Sequence, residues 1–122
     1  MRKVYKIKQN KQQTAFHLDE NVTVVPANQM IADSDAFAFI YIVEENEQYS
    51  YFAFDQSTWA SLVRYIEANE NPKVQIGDTE LELTNFSEEL ISLIFNIEGN
   101  SNYGQQFVTL VETAFAKILK KI

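Results

Sequence analysis

Ala36-Phe-Ala-Phe-Ile-Tyr-Ile-Val43 is the longest apolar run of the chain, and its reading decides the fold. In an extended strand, successive side chains point to opposite sides. One set is then Phe37, Phe39, Tyr41 and Val43, the other Ala36, Ala38, Ile40 and Ile42, and both sets are apolar. Such a strand belongs in the middle of a sheet or under a helix layer. Glu44-Glu-Asn-Glu-Gln48 follows as a polar turn, and Tyr49–Phe54 alternates again with aromatic residues. The two runs therefore read as an antiparallel hairpin.

Downstream, Asp55 can cap a helix in which Trp59, Leu62, Val63 and Ile66 fall at i, i+3, i+4 and i+7. Asn71-Pro72 ends it. Val74 and Ile76, the Gly77-Asp78 turn, and Leu81 and Leu83 read as a second, smaller hairpin. Asn85 and Glu88 have capping-box spacing ahead of the stripe Leu90, Ile91, Ile94 and Ile97, and Gly99 can take the left-handed conformation that stops that helix. Asn102 and Gln105 repeat the spacing ahead of Phe107, Leu110, Val111, Ala114, Phe115 and Ile118.

Upstream, Val4 and Ile7 among Lys3, Lys6 and Lys8 read as a half-exposed edge strand. Thr14–Leu18 and Val22–Val25 read as short strands on either side of Asp19-Glu-Asn21, and Pro26-Ala-Asn-Gln29 as a break. Strands in runs followed by helices argue for an α+β fold. We expect one mainly antiparallel sheet with three helices packed on it, one between the hairpins and two at the C-terminus, in a single domain over residues 1–122. Strict strand–helix alternation is absent, which disfavours a doubly wound nucleotide fold.

Composition narrows the functional classes. The 122 residues carry 10 Lys plus Arg against 17 Asp plus Glu, a formal net charge of −7. An acidic chain lacks the cationic surface that phosphate backbones demand, so nucleic acid is not an expected partner. Zero Cys excludes disulfides, zinc–thiolate sites and thiol catalysis, and a single His excludes a His-rich metal site. The eight-residue apolar run falls far short of the roughly 20 needed to span a bilayer. The basic start alternates charged with apolar residues and so lacks a signal-peptide core. A cytoplasmic location without membrane contact is the expectation.

Two blocks stand out from this generic pattern: Gln29-Met-Ile-Ala-Asp-Ser-Asp-Ala-Phe-Ala-Phe-Ile-Tyr41, and Asn96-Ile-Glu-Gly-Asn-Ser-Asn-Tyr-Gly104 with Phe107-Val108 and Val111-Glu112 after it. Together they resemble the YjbL-type family of small, acidic, uncharacterised proteins from Bacillus- and Staphylococcus-like Gram-positive bacteria. The resemblance runs from about Gln29 onward and includes Tyr49–Trp59 and Glu80-Leu-Glu-Leu83; the Asn10-Lys-Gln-Gln13 turn lies outside it. It implies a cytoplasmic protein of that lineage and brings no activity with it.

Asp33-Ser34-Asp35 precedes the central strand. Two carboxylates can hold Mg²⁺, which takes one or two carboxylates and several waters; Asp and Ser also cap turns by binding local backbone amides. Gly99-Asn100-Ser101-Asn102-Tyr103-Gly104 has the glycine spacing of a phosphate loop, but Gln105-Gln106 replaces the Lys-Ser/Thr pair and no strand precedes it. It reads as a helix corner whose amides could hold a partner's carboxylate. His17 is a lone strand histidine without a recognisable nucleophile elbow. The aromatic run Tyr49/Tyr51/Phe52/Phe54 lies beside Glu44, Glu45, Glu47 and Asp55, so it reads as core and not as a base-stacking platform.

No catalytic motif is recognisable. The first reading is a non-catalytic protein-binding or regulatory module that needs no cofactor and no metal. Its acidic face, built from Glu44, Glu45, Glu47, Asp78, Glu80 and Glu82, would dock a basic protein surface. Eight of the 10 basic residues lie within the first 11 or last 6 positions, and all 17 acids lie between Asp19 and Glu112, which suits an acidic body with basic ends. The second reading is a small, Mg-dependent, carboxylate-based enzyme using Asp33 and Asp35. The sequence names no partner, and it leaves homo-oligomerisation open.

Overall fold

A computed structural model describes residues 3–10 and 15–120. The elements are β1 (Lys3–Lys6), β2 (Lys8–Gln9), β3 (Phe16–Leu18), β4 (Val25–Asp33), β5 (Ala38–Glu45), β6 (Gln48–Asp55), α1 (Gln56–Glu67), β7 (Lys73–Ile76), β8 (Thr79–Glu82), α2 (Phe86–Ile97), a 3₁₀ turn (Ser101–Tyr103), α3 (Gln105–Ala114) and α4 (Ala116–Leu119). Thr14, Arg2, Lys11, Lys121 and most of the Asn10–Gln13 turn lie outside the described residues.

The α+β class holds. The central run becomes β5, which pairs antiparallel with β6 from Ala38↔Asp55 to Glu45↔Gln48. The expected single sheet is corrected to two, in the orders β1-β6-β5-β4 and β2-β3-β7-β8. The chain changes sheets at Ile7, whose side chain is buried and whose N–H donates to Ala53 O at 3.0 Å. The small hairpin β7–β8 then joins β3 instead of β5. Among the described residues four of the six strand pairings are antiparallel; β1–β6 and β3–β7 are parallel. β1 is an edge strand, as its lysines suggest.

The strand expected at Val22–Val25 instead begins at Val25 and runs to Asp33. Pro26 does not break it, because β4 is an edge strand and bulges there. Register passes from Pro26↔Val43 to Gln29↔Ile42, and Asn28 takes φ 61°. Edges and bulges are where a strand tolerates proline.

The core lies between the first sheet and the helices. Phe39 meets Trp59 at 5.2 Å, Phe107 at 6.1 Å and Phe115 edge-on at 5.7 Å, and all four rings are buried. Phe54 contacts Phe86 at 5.0 Å and Phe16 of the second sheet at 5.3 Å, which ties the two sheets together. Asp55 caps α1 as expected, with Oδ1 accepting from Ser57 N at 3.0 Å. The Asn85/Glu88 capping box does not form: Asn85 is left-handed, and Asn71 Oδ1, brought in from the preceding loop, accepts from Ser87 N at 3.1 Å instead. The last helix is interrupted at Phe115, which leaves helical geometry (φ −109°, ψ 24°) while its ring packs edge-on against Phe39.

Candidate functional site

The two blocks that stand out in the sequence meet in space. Asp33 Oδ1 accepts from Ala36 N at 3.2 Å, closing the turn before β5, and Phe37 leaves that turn with φ 52°. The corner after α2 is knitted separately. Gly99 is left-handed (φ 65°), and its N–H donates to Glu112 Oε2 at 2.9 Å. Asn96 Nδ2 donates to Tyr103 Oη at 3.0 Å. Asn102, expected to cap the last helix, does not. Asn100 Oδ1 accepts from Asn102 N at 3.1 Å and caps the 3₁₀ turn, while α3 starts after Gly104 with no side-chain cap. Asn102 lies inside the 3₁₀ turn, and the helix cap moves two residues on, from Asn102 to Gly104.

Phe37 stacks on Phe107 at 6.4 Å, and Tyr103 packs on the same ring at 6.2 Å. Between turn and corner lies an open hollow of about 290 Å³ that Ser34, Asp35, Tyr103 and Gly104 help to line. Asp33 is engaged in its own turn, and among the described residues no group of three or more His, Cys, Asp or Glu side chains is placed to hold a metal. A second hollow, about 280 Å³, opens beside α1 at Ser61, Arg64 and Tyr65. The Ser61 hydroxyl oxygen is held there by Arg64 Nη2 at 2.9 Å and by Gln9 Nε2, an arrangement unlike a nucleophile beside a base.

The acidic candidates fall on two hairpins in different sheets. Glu44, Glu45 and Glu47 belong to the β5–β6 hairpin, and Asp78, Glu80 and Glu82 to the β7–β8 hairpin. Glu45 turns to the inner side, where its carboxylate accepts from Tyr5 Oη at 2.8 Å and Ser50 Oγ at 3.0 Å. Burial, and then this carboxylate, push the Tyr5 phenol up to about 12. Glu80 lies 3.8 Å from Lys73 Nζ. The basic N-terminal strands are partly neutralised as well, Lys6 by Asp55 at 3.2 Å and Lys8 by Asp19.

The feature that the sequence reading missed is the second face of the first sheet. The helices gather on the Phe39–Tyr41 side. On the other side, register aligns Lys6, Ala53, Ile40 and Ile31 in one row and Val4, Tyr51, Ile42 and Gln29 in the next. Tyr49, Glu44 and Val25 make a third row, and Asp55, Ala38 and Asp33 close the opposite end. Among the described residues the exposed large apolar side chains are Val4 (60%), Val25 (62%), Ile31 (39%) and Tyr49 (45%), and all four stand on this face. The signal was present in the apolar set Ala38, Ile40 and Ile42, which was expected to lie under cover.

Among the described residues no helix is long and apolar enough to cross a membrane. The model of the UPF0738 family, a family of unknown function, matches residues 2–115. A UPF0738 protein of Lysinibacillus sphaericus is 44% identical over 125 residues, 98% of each chain. One from Staphylococcus saprophyticus is 45% identical over 89 residues, 73% of each chain, and one from Bacillus licheniformis is 41% identical over 90 residues, 74% of each. No solved structure matches the chain.

Proposed function

The chain belongs to the UPF0738 family, found in Gram-positive bacteria, and from that premise we propose that it is a non-catalytic protein-binding module of the cytoplasm, of the YjbL type and acting as one domain. The observation that carries this reading is the open sheet face, on which every exposed large apolar side chain of the described residues is gathered. The most apolar part of a small protein's surface is often its interaction site. Glu44 and Glu47 on one hairpin, with Asp78 and Glu82 on the other, supply the acidic surface for a basic partner. Glu45 acts there as the anchor of Tyr5. The Ser34–Asp35 and Tyr103–Gly104 hollow is an accessory contact in this reading.

The test is capture of a partner from a native lysate of a Bacillus- or Staphylococcus-like bacterium, followed by binding of the purified partner. Association is expected to slow as salt rises and to slow further on reversing Glu44 and Glu47 to Lys, because charge complementarity acts mainly on encounter and is screened over about 8 Å at physiological ionic strength. A purified partner indifferent both to those reversals and to Ile31→Lys removes the reading.

A further inference from the structure

We propose that the hollow beside α1 is a binding site for a small zwitterion, an α-amino acid with an apolar side chain, whose carboxylate is taken by Arg64 and whose ammonium is taken by Glu70. It lies apart from the open sheet face and stands or falls without it.

The hollow, about 280 Å³, is lined among the described residues by Ser61, Arg64, Tyr65, Ala68 and Glu70. The first four fall at i, i+3, i+4 and i+7, one stripe of α1 running to its C-cap at Ala68. The stripe is held from several sides. Ser61 is buried, and its hydroxyl oxygen accepts from Gln9 Nε2 on β2 and from Arg64 Nη2 at 2.9 Å. That single bond orients the guanidinium and leaves its other N–H donors for a ligand. Tyr65 stacks on Phe16 at 5.8 Å. Beyond the helix, Asn69 is left-handed (φ 56°), and the chain folds back so that Glu70 N donates to Tyr65 O at 3.0 Å. Ser87 Oγ on α2 donates to Glu70 O at 2.6 Å, so the Glu70 backbone is fixed on two sides. Small-molecule sites are usually pre-formed in this way, with a few polar groups converging beside an apolar wall.

Charge then selects the ligand. Among the described residues neither Arg64 nor Glu70 forms an ion pair. Burial raises the pKa of the Tyr65 phenol, Glu70 adds to the rise and Arg64 opposes it, so both charges act on one hydroxyl of the hollow. A lone anion at Arg64 meets the Glu70 carboxylate, and a lone cation at Glu70 meets the guanidinium. A molecule carrying both charges satisfies both at once, and the planar fork of an arginine matches a carboxylate. The Tyr65 ring and the Ala68 methyl supply the wall for an apolar side chain.

The test is an amide NMR titration of the full chain with three probes: L-leucine, N-acetyl-L-leucine (no ammonium) and L-leucinamide (no carboxylate). With about nine non-hydrogen atoms, L-leucine should bind with a dissociation constant on the order of 1 mM, and the shifts should centre on Tyr65, Ala68 and Glu70. Each of the other two probes should bind about tenfold more weakly, the loss expected for one charged hydrogen bond. Arg64→Gln should abolish the preference for L-leucine over L-leucinamide, and Glu70→Gln the preference over N-acetyl-L-leucine. Both side chains are exposed, so the fold should stay intact by circular dichroism. Residues that served only to finish α1, or that paired with each other across the mouth, would not sort the probes by charge. The absence of shifts at these amides up to the solubility of L-leucine, equal affinity for the three probes, or wild-type preferences in either variant would each overturn the proposal.

Discussion

The two faces of the first sheet share the same strands and differ in what covers them. On one side Phe39, Tyr41, Val43, Phe52 and Phe54 are shut away under the helices. On the other, Ile40 and Ala38 are closed off in the middle of the sheet, while Val4, Val25, Ile31 and Tyr49 stand in water at its margins. Alternation makes both faces apolar without saying which acquires a second layer. Phe39, Phe52 and Phe54 mark the covered side, because filling the gap between sheet and helices takes the volume of an apolar ring; the strands' open side carries β-branched residues, alanine and tyrosine and no phenylalanine.

The largest expected effect separates the two faces along one pair of neighbouring strands. Phe39→Ala removes a ring that touches Trp59, Phe107 and Phe115, and should cost about 3–5 kcal/mol in urea denaturation. Ile31→Ala, opposite Ile40 on the open side, should cost under about 1 kcal/mol when measured in dilute solution. Equal costs for the two variants in dilute solution would erase the distinction between the faces.

A smaller contrast lies within a single strand. Tyr5 and Val4 are neighbours on β1, one buried and one exposed. Tyr5→Phe strips the phenol from the Glu45 carboxylate and should cost about 1.5–3 kcal/mol, the range for a hydrogen bond to a charged group. Val4→Thr should fall within about 0.5 kcal/mol. The raised Tyr5 pKa also predicts alkaline sensitivity. Its contribution is complete below the unfolded value of about 10 and is lost as pH rises toward about 12. Burial also raises Tyr41 and Tyr65, so ultraviolet titration should show one tyrosine fewer ionising near that upper limit in Tyr5→Phe than in the wild type.

Local signals in the sequence were dependable where the interaction is local. The β5–β6 hairpin, the Asp55 cap and the left-handed Gly99 each depend on a few consecutive residues, and each is found. The division into two sheets is different, because the parallel pairings β1–β6 and β3–β7 join strands more than 40 residues apart, and short polar strands carry no label for a distant partner. The same holds for the candidate site. Asp33-Ser34-Asp35 reads as a turn and Gly99–Gly104 as a helix corner, and the stacking of Phe37 on Phe107 beside them brings the two together. Pro26 misled because its tolerance depends on β4 being an edge, and Asn102 misled because it lies within a 3₁₀ turn that ends before the helix cap at Gly104.

The smallest effect concerns an open-face residue whose role is structural. Asp55 stands at the end of the open face, takes Ser57 N at 3.0 Å and Ser57 Oγ at 2.5 Å, and lies 3.2 Å from Lys6 Nζ. Burial alone would raise its pKa, but the bonds from Ser57 and Lys6 outweigh burial and hold the carboxyl below the ordinary value. A lowered folded pKa means that the stabilisation is complete above the unfolded value of about 3.9 and is lost as pH falls through the folded one. Asp55→Ala should therefore cost about 0.5–2 kcal/mol at neutral pH, the usual loss for a helix cap, and the gap to wild type should close in acid. Asp55→Asn keeps a capping oxygen and gives up the charge, so its stability should differ less from wild type at neutral pH and fall less steeply below pH about 4. Urea denaturation of the three proteins at neutral and acidic pH separates the contributions. If the wild-type advantage over Asp55→Ala is the same at both, the carboxylate contributes nothing through its charge, and the α1 cap is a matter of shape alone.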